Sequence, residues 1–479
     1  MVSLSVTTVM KPFLATFATL LLVFGTTRVS THDLVGGGCL LARFPDDLLQ
    51  QLKQESNFLY PPSPPSHAPV QGLHLALEGS EGLRVTWMNP ARPSIGGKFY
   101  PQCMFGPEGS NLSHVVSAHF YTYTAGMFAH VLNTAVLDLS VIPCVNKTSS
   151  PCVKALAYQC GDKAFGFGDV LHANIQDKVV PLTPGPQFAV IGDMGVPHGL
   201  KTIDSIASRM SGGGLGEVEM LLHAGDITYA NHYGTKTHNN SYVWVEYMNA
   251  LQSVVGKVPY MTAPGNHEAQ FEFAAYLNWL PMPNKASSSD SPFWFSFDYL
   301  GVHVLSFSTE HDFTPNSTQH RWIEQDLKRA NGNRARVPWL VVIGHRPLYC
   351  SSLICWERCH DEATTFRSNL EELLYQYRVD AMITGHNHQY ERSYPVYLGK
   401  ATQKNYINPQ APVYIVDGAA GNPELNDPTF EPGVEWRGND EPSMATGFLL
   451  MTPSQSQLKF DYVLSDTDKV FDSFTIVRK

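Results

Sequence analysis

The chain of 479 residues is too long for one compact core, and we therefore expect at least two domains. Its content of 43% hydrophobic and 16% charged residues is typical of a globular protein and argues against disorder over most of the length. The formal net charge of −10 argues against a nucleic-acid-binding protein that relies on a broad basic face, but a bound metal ion can still attract an anionic substrate locally.

Residues 1–30 predict a signal peptide. Lys11 precedes an apolar run from Pro12 to Gly25, which is short for a transmembrane helix. An uncleaved signal anchor is the alternative. No second apolar run approaches about 18 residues, and the C-terminal FTIVRK is not a lipid-anchor signal. We therefore expect a protein without a stable membrane anchor, either secreted or delivered to the lumen of an endomembrane compartment or vacuole.

In an oxidising compartment, two further features of the sequence predict glycosylation and disulfide bonds. Four sequons predict glycosylation at Asn111, Asn146, Asn239 and Asn316. The eight cysteines become candidates for disulfides. Cys144 and Cys152 are close enough in sequence to close a small loop, and so are two of Cys350, Cys355 and Cys359. The pairing stays open, and a zinc cluster of the last three cysteines is an alternative.

β-Structure is predicted after an N-terminal segment and proline-rich spacer at residues 31–66. Residues 31–60 lack clear periodicity, and the YPPSPPSHAPV that begins at Tyr60 is typical of an extended spacer. The stretch GLHLALEGSEGLRVTWMN then has two alternating runs separated by glycine and serine, as in a hairpin. AHFYTYTA, HVLNTAVLDL and KALAYQCGD continue the pattern. We predict a β-sandwich at residues 67–165.

After the linker VVPLTPGPQ the pattern changes. Apolar strand-like runs alternate with amphipathic segments such as LKTIDSIASRM, where Leu200, Ile203, Ile206 and Met210 fall on one face. SYVWVEYMNALQSVV, HRWIEQDLKRA and FRSNLEELLYQY behave similarly. Strands that alternate with helices predict a layered α/β domain, which we place at residues 183–479.

Five strand-like runs of this domain end in a glycine and a polar side chain. They are FAVIGDMG, MLLHAGDITY, VPYMTAPGNHE, LVVIGHRP and AMITGHNH. Each motif alone is common in turns. In a layered α/β sheet, however, ligands bind beyond the carboxyl ends of the strands, and glycine allows a close approach of the backbone. The set therefore predicts one site that collects Asp, Asn and His side chains.

The number and type of these donors indicate two metal ions. Two cations that share one carboxylate need about seven protein ligands. The motifs supply six, which are Asp193, Asp226, Asn266, His345, His386 and His388. The seventh candidate is Tyr229, three residues after Asp226, because a phenolate oxygen suits Fe(III). A tyrosine that only packs in the core is the alternative.

The ordered blocks GDMG, GDITY, GNHE, VIGH and GHNH resemble those of the metallophosphoesterase superfamily. The tyrosine of GDITY makes the chain similar to the purple acid phosphatases. HLALEG, LRVTW and YQCGD resemble the fibronectin type III-like N-terminal domain of that family, and PVYIVDGAAGNPE resembles its C-terminal strands. The resemblance covers roughly residues 67–477. It implies a β-sandwich followed by a catalytic domain of two mixed sheets flanked by helices.

The resemblance also implies the metal ligands. An Fe(III) site would consist of Asp193, Asp226, Tyr229 and His388. A site for divalent Fe, Zn or Mn would consist of Asp226, Asn266, His345 and His386, so that Asp226 bridges. Substrate phosphate would contact Asn266 and His267. In plant members, a loop after the ligand that corresponds to His345 carries adjacent histidines near the substrate. Here that loop has three cysteines and His360, whose contact with substrate is left open.

The predicted function is hydrolysis of phosphomonoesters at acidic pH by a metal-bound hydroxide, with His267 either donating a proton to the leaving oxygen or stabilising charge on it. The substrate is expected to be a phosphorylated small molecule or phosphoprotein. One alternative is a phosphodiesterase or nucleotide pyrophosphatase with the same metal pair. Another is a secreted binding glycoprotein that acts through its sandwich domain.

Overall fold

A computed structural model describes residues 68–89, 98–125, 128–145, 153–176, 185–210, 217–233, 241–353, 359–424, 426–427, 429–439, 441, 443 and 445–479. The predicted signal peptide and residues 31–66 lie outside these residues, as do the sequons at Asn146 and Asn239. Within the described ranges, no helix is both long enough and apolar enough to cross a membrane.

Antiparallel strands form two sheets in the N-terminal part. Their orders are β1-β2-β6-β5 and β4-β3-β7-β8, with β9 paired to β7. The strands are β1 Gln71–Glu78, β2 Gly82–Asn89, β3 Pro101–Pro107, β4 His114–Ser117, β5 His119–Ala125, β6 Phe128–Asp138, β7 Val153–Asp162, β8 Gly166–Phe167 and β9 Leu171–Gln176. The predicted sandwich is confirmed, because alternating side chains such as Val85 and Trp87 are fully buried.

The C-terminal part contains two mixed six-stranded sheets, ordered β12-β11-β10-β21-β22-β23 and β13-β14-β15-β16-β20-β17, and a hairpin of β18 and β19. The strands are β10 Gln187–Ile191, β11 Val218–Ala224, β12 Tyr260–Ala263, β13 Phe295–Tyr299, β14 Val302–Ser306, β15 Trp339–Ile343, β16 Ala381–Thr384, β17 Tyr390–Arg392, β18 Val396–Tyr397, β19 Lys400–Ala401, β20 Val413–Asp417, β21 Gly447–Pro453, β22 Gln457–Leu464 and β23 Val470–Val477.

Helices flank these sheets, as predicted. They are α1 Leu200–Ser208, α2 Tyr242–Val255, α3 Ala274–Trp279, α4 Thr318–Gly332, α5 Cys359–Phe366 and α6 Glu372–Gln376. Short 3₁₀ turns lie at Leu139–Val141, Ala230–Tyr233, Asn266–Glu268 and Lys285–Ser287. Two details differ from the sequence prediction. Leu200 begins α1 and is exposed rather than buried, and a π-helical turn at Arg367–Glu371 separates α5 from α6.

The sandwich and the catalytic sheets pack against each other within one compact unit. The Tyr158 hydroxyl on β7 donates to the Gly256 carbonyl, which follows α2, at 2.6 Å. The Trp279 indole at the end of α3 donates to the Tyr123 hydroxyl on β5 at 2.7 Å. Because these bonds are buried, breaking one leaves an unsatisfied polar group and costs about 1–3 kcal/mol. The sandwich therefore braces α2 and α3, which lie next to ligand-bearing loops.

Parallel pairing brings the predicted ligand loops to one place. Strands β10, β11 and β12 are mutually parallel, and so are β14, β15, β16 and β20. Their carboxyl ends therefore lie at one edge of each sheet. The two edges meet, because the His345 ring after β15 hydrogen-bonds the Ala224 carbonyl at the end of β11 at 2.9 Å.

Candidate metal centre

Four of the predicted ligands have strained backbones. Asp193, Asp226, Tyr229 and His386 adopt positive φ angles of 56°, 53°, 53° and 70°. This left-handed conformation costs a non-glycine residue about 1–2 kcal/mol. Strain of this kind persists where the surrounding structure holds it and is concentrated at functional sites. The four angles aim side chains that follow three strand ends, those of β10, β11 and β16, towards one buried volume.

The glycines of the motifs are required by close packing. A Cβ atom on Gly225 would lie 2.5 Å from Nδ1 of His345, and one on Gly385 would collide with the Asp193 carboxylate. No side chain fits at either position, because another predicted ligand already occupies the space. The prediction that glycine allows a close approach is confirmed at both turns.

Three of the predicted iron ligands are brought together. The Tyr229 hydroxyl lies 3.1 Å from Oδ1 of Asp193 and 3.0 Å from Nε2 of His388. Nε2 of His388 is 3.5 Å from the same carboxylate oxygen. All three side chains are buried. A phenol oxygen, a carboxylate oxygen and an imidazole nitrogen therefore converge within contact distance.

The second set of predicted ligands adjoins the first. Nε2 of His345 lies 3.0 Å from Oδ1 of Asn266 and 3.1 Å from Oδ2 of Asp226. A ring nitrogen of His386 completes a group in which one donor atom each of Asp226, His345 and His386 lie within 4.8 Å of one another. The structure thus brings all seven predicted ligands into two neighbouring groups, while the metal-binding role of each residue stays a prediction.

The donor chemistry of both groups fits bound cations. Nδ1 of His345 donates to the Ala224 carbonyl, so Nε2 is turned towards the oxygens of Asn266 and Asp226. Such converging acceptors repel unless positive charge lies between them. Burial lowers the pKa of His345, but the Asp226 carboxylate outweighs burial and raises it to about 10. Burial likewise raises the pKa of Tyr229 well above its usual value, so its phenolate requires a nearby cation.

His386 makes contacts that its motif did not predict. Its Nε2 lies 3.0 Å from Glu362 on α5 and 3.2 Å from the Arg346 guanidinium. Arg346 is itself held by Glu310 at 2.7 Å and by Glu362 at 2.6 Å. A carboxylate on the far nitrogen of a ligating histidine fixes the orientation of its ring. These three charged side chains therefore support the second group from outside.

His267 lies above the ligands and is oriented by its neighbours. Its backbone N–H donates to Oδ1 of Asp226 at 2.8 Å, and its Nδ1 lies 2.8 Å from Oδ1 of Asn231. Since an amide oxygen only accepts, Nδ1 carries a proton, and Nε2 lies 3.7 Å from Oδ2 of Asp226 and 3.9 Å from Oε1 of Glu424. The ring packs on Tyr229 with centroids 4.3 Å apart. Its role in substrate binding and proton transfer stays a prediction.

Glu268 was missed by the sequence analysis, although it stands in the quoted GNHE block. Its buried carboxylate accepts hydrogen bonds from the backbone N–H groups of Asp226, Ile227 and Gly265, each at 2.9 Å. Burial raises its pKa, while the N–H donors favour the charged form. Glu268 thereby joins the turn after β11 to the turn after β12 and fixes the backbone of Asp226, the predicted shared ligand.

Glu424 was also missed. It follows β20, and its Oε1 lies 2.8 Å from Nε2 of His232. Its Oε2 lies 3.8 Å from Nε2 of His388. Burial opposes ionisation, but His232 and the neighbouring imidazoles lower the pKa of Glu424 to about 2. Only its fold position after β20 could have signalled this carboxylate, because no donor spacing in the sequence links it to the other motifs.

The remaining predicted residues lie at the surface. His360 on α5 is exposed and faces Glu431 at 3.4 Å, outside both groups of converging donors, so its contact with substrate stays a prediction. Asn111 and Asn316 are exposed, as glycosylation requires.

Disulfides are confirmed in two parts of the described chain. Cys350 pairs with Cys359, within the trio that the sequence singled out. A second bond joins Cys103 to Cys160, which are opposite each other in the β3–β7 pairing and had no sequence signal. Cys144 is disulfide-bonded as well. The zinc-cluster alternative is therefore wrong for Cys350 and Cys359.

Comparison with protein families gives two matches. Residues 186–390 match the calcineurin-like phosphoesterases, and residues 411–473 match the "iron/zinc purple acid phosphatase-like protein C" family. The first match spans all seven predicted ligands. The second lies on the strands that follow the ligand loops and includes Glu424.

Related sequences and a solved structure agree with these family matches. The chain is 32% identical to acid phosphatase type 7 of Danio rerio over 67% of this chain and 74% of the relative. It is 30% identical to purple acid phosphatase 21 of Arabidopsis thaliana over 78% of each chain. The structure of purple acid phosphatase PPD1 from yellow lupin seeds shares the fold with a TM-score of 0.71 and 23% identity, covering 86% of this chain and 75% of that one. These homologues are acid phosphatases, in agreement with the predicted enzyme class.

Replacement of Glu268 by glutamine is expected to weaken metal binding about 10- to 100-fold, because the amide cannot accept all three N–H groups that position Asp226. Metal content per chain, measured by mass spectrometry after dialysis against graded chelator, checks this. The matched control is Glu272→Gln, an exposed glutamate four residues later. Equal metal retention in both variants would show that Glu268 does not support the site.

Proposed function

This chain belongs to the purple acid phosphatase family of the metallophosphoesterase superfamily, and from that premise we propose that it is a binuclear acid phosphatase that hydrolyses phosphomonoesters. The observation that carries the proposal is the convergence of seven predicted N and O donors at the meeting edges of two sheets. Phosphoryl transfer depends on positioning and charge neutralisation, which such a site provides.

The two groups of donors would hold different metals. Asp193, Tyr229 and His388 would bind Fe(III) with Asp226, since two hard anionic oxygens and a phenolate suit a trivalent ion. Asn266, His345 and His386 would bind divalent Fe, Zn or Mn, again with Asp226, which is therefore shared. When bound, the pair supplies positive charge to phosphate oxygens and lowers the pKa of water enough for hydrolysis in acid.

The side chains around the metals would bind and orient the ester. Asn266 and His267 lie on one turn after β12, with Oδ1 of Asn266 3.0 Å from Nε2 of His345 and Nε2 of His267 3.7 Å from Oδ2 of Asp226. Nε2 of His267 is directed towards Asp226 because Asn231 holds Nδ1. We assign it the role of hydrogen-bonding the phosphate and protonating the leaving oxygen. His360 is a candidate for contact with more distal parts of a substrate.

We further propose that the protein is secreted or lumenal. The disulfides of the described chain and the exposed sequons at Asn111 and Asn316 support this location. The predicted leader at residues 1–30 would direct it there.

The visible absorption spectrum of the purified protein tests the iron assignment. A charge-transfer band from the Tyr229 phenolate to Fe(III) is expected, and Tyr229→Phe should abolish it while Tyr247→Phe, another fully buried tyrosine, should retain it. A colourless protein with a full complement of metals would refute Fe(III) ligation by Tyr229.

Competing rates on 4-nitrophenyl phosphate and bis(4-nitrophenyl) phosphate test the substrate class. The monoester should turn over faster at acidic pH, because it offers three non-bridging oxygens to the site and carries one bulky group. A preference for the diester would favour the phosphodiesterase alternative. Absence of hydrolysis by protein with both metals bound would favour the binding glycoprotein.

Replacement of His267 by alanine should lower kcat about 100-fold with both metals retained, because the leaving oxygen loses its proton donor. The loss should be larger for an alkyl phosphate than for 4-nitrophenyl phosphate, whose leaving group needs less protonation. His172→Ala, at an exposed histidine of the sandwich, serves as control. An equal loss on both substrates would contradict the assignment of general acid.

A further inference from the structure

A second set of metal-type donors lies at the opening of the site and uses none of the seven predicted ligands. It consists of His232, His267 and Glu424, which offer donor atoms within 4.8 Å of one another. Oε1 of Glu424 lies 2.8 Å from Nε2 of His232 and 3.9 Å from Nε2 of His267. The two rings are 4.9 Å apart. Two imidazoles thus turn their ε-nitrogens towards one carboxylate.

Three separate strand ends build this set. His232 lies in the 3₁₀ turn after Tyr229, His267 lies in the turn after β12, and Glu424 lies on the loop after β20. An ordinary ion pair between His232 and Glu424 explains one contact. It leaves out His267, whose Nδ1 is fixed by Asn231 and whose Nε2 lies between the carboxylates of Glu424 at 3.9 Å and Asp226 at 3.7 Å.

The donor types match a zinc site with an open position. Two histidines and one glutamate form a known zinc-binding combination, and an amide or carbonyl partner on the far nitrogen is typical of ligating histidines. Ligands of a tetrahedral site are about 3.3 Å apart, so shifts of about 1 Å would close the set around an ion. The side chains of His232 and Glu424 are about one-quarter exposed, which leaves a path from solvent.

We propose that His232, His267 and Glu424 form a third cation site, selective for Zn²⁺ and similar borderline divalent ions, whose occupation inhibits the enzyme. The enzyme would be inhibited because the bound ion would coordinate Nε2 of His267, which the substrate would otherwise hydrogen-bond. The inhibition rests on the proposed function, whereas zinc binding does not.

The position of the site predicts weak, reversible occupation. His267 lies 3.7 Å from Oδ2 of Asp226, and Glu424 lies 3.8 Å from His388, so an ion here would be repelled by cations bound below. Only one carboxylate offsets that repulsion. The third ion should therefore load at excess zinc and leave with mild chelation, while the buried pair stays bound.

Zinc binding is tested by calorimetric titration of ZnCl₂ into protein preloaded with Fe(III) and zinc. Exchange at the divalent site then replaces zinc by zinc and gives no net heat. The wild type should bind one further equivalent. Glu424→Gln and His232→Asn, which remove one donor each, should weaken that event at least about tenfold. His198→Asn, at an exposed histidine on the loop after β10, is the control and should leave it unchanged.

Inhibition is tested on the same proteins with 4-nitrophenyl phosphate near neutral pH. Zinc should inhibit the wild type and His198→Asn equally, and the inhibition constant should rise at least about tenfold in Glu424→Gln and His232→Asn. Equal inhibition of all four proteins, or no additional zinc equivalent in the wild type, would overturn the proposal. Zinc binding at this set in a protein without phosphatase activity would overturn the proposed function and leave the cation site standing.

Discussion

The buried carboxylate of Asp226 is the constraint on which the site depends. Its backbone N–H is held by Glu268, its Oδ1 accepts from the backbone of His267, and its Oδ2 faces His345. It therefore contacts the loops after β12 and β15 in addition to its own. A buried carboxylate is stable only when it is hydrogen-bonded and paired with positive charge. The fold meets the first condition with N–H groups and leaves the second to histidines and bound cations.

The need to hold these buried polar groups together also explains the backbone strain at the site. Left-handed φ angles at Asp193, Asp226, Tyr229 and His386 are unfavourable in isolation. They are held because short, fully buried parallel strands fix each loop at its base and because glycines on the neighbouring turns leave no room to relax. The apolar core of two mixed sheets thus stabilises an arrangement of polar groups that would otherwise separate.

The architecture and the inner donors could be predicted from sequence because both depend on local signals. An apolar run ending in glycine and a donor marks a strand end, and parallel strand ends must converge. The supporting residues could not be predicted in this way. Arg346 reaches Glu310 and Glu362 from different elements, and the Cys103–Cys160 bond follows from strand register alone. Such contacts depend on how loops distant in sequence meet, which periodicity does not encode.

The charges at the opening show why cations must dominate binding. Glu362 on one side and Glu424 on the other present carboxylates to solvent, and the chain as a whole carries a net charge of −10. Arg346 is paired with Glu362, and His232 with Glu424, so these cationic side chains are already neutralised and attract a phosphate dianion little. Attraction must therefore come from the base of the site, where metal charge acts at short range and with little screening. Under the proposed function, phosphate binding would therefore depend on both metals, and loss of either should reduce affinity for the ester more than it disturbs the fold.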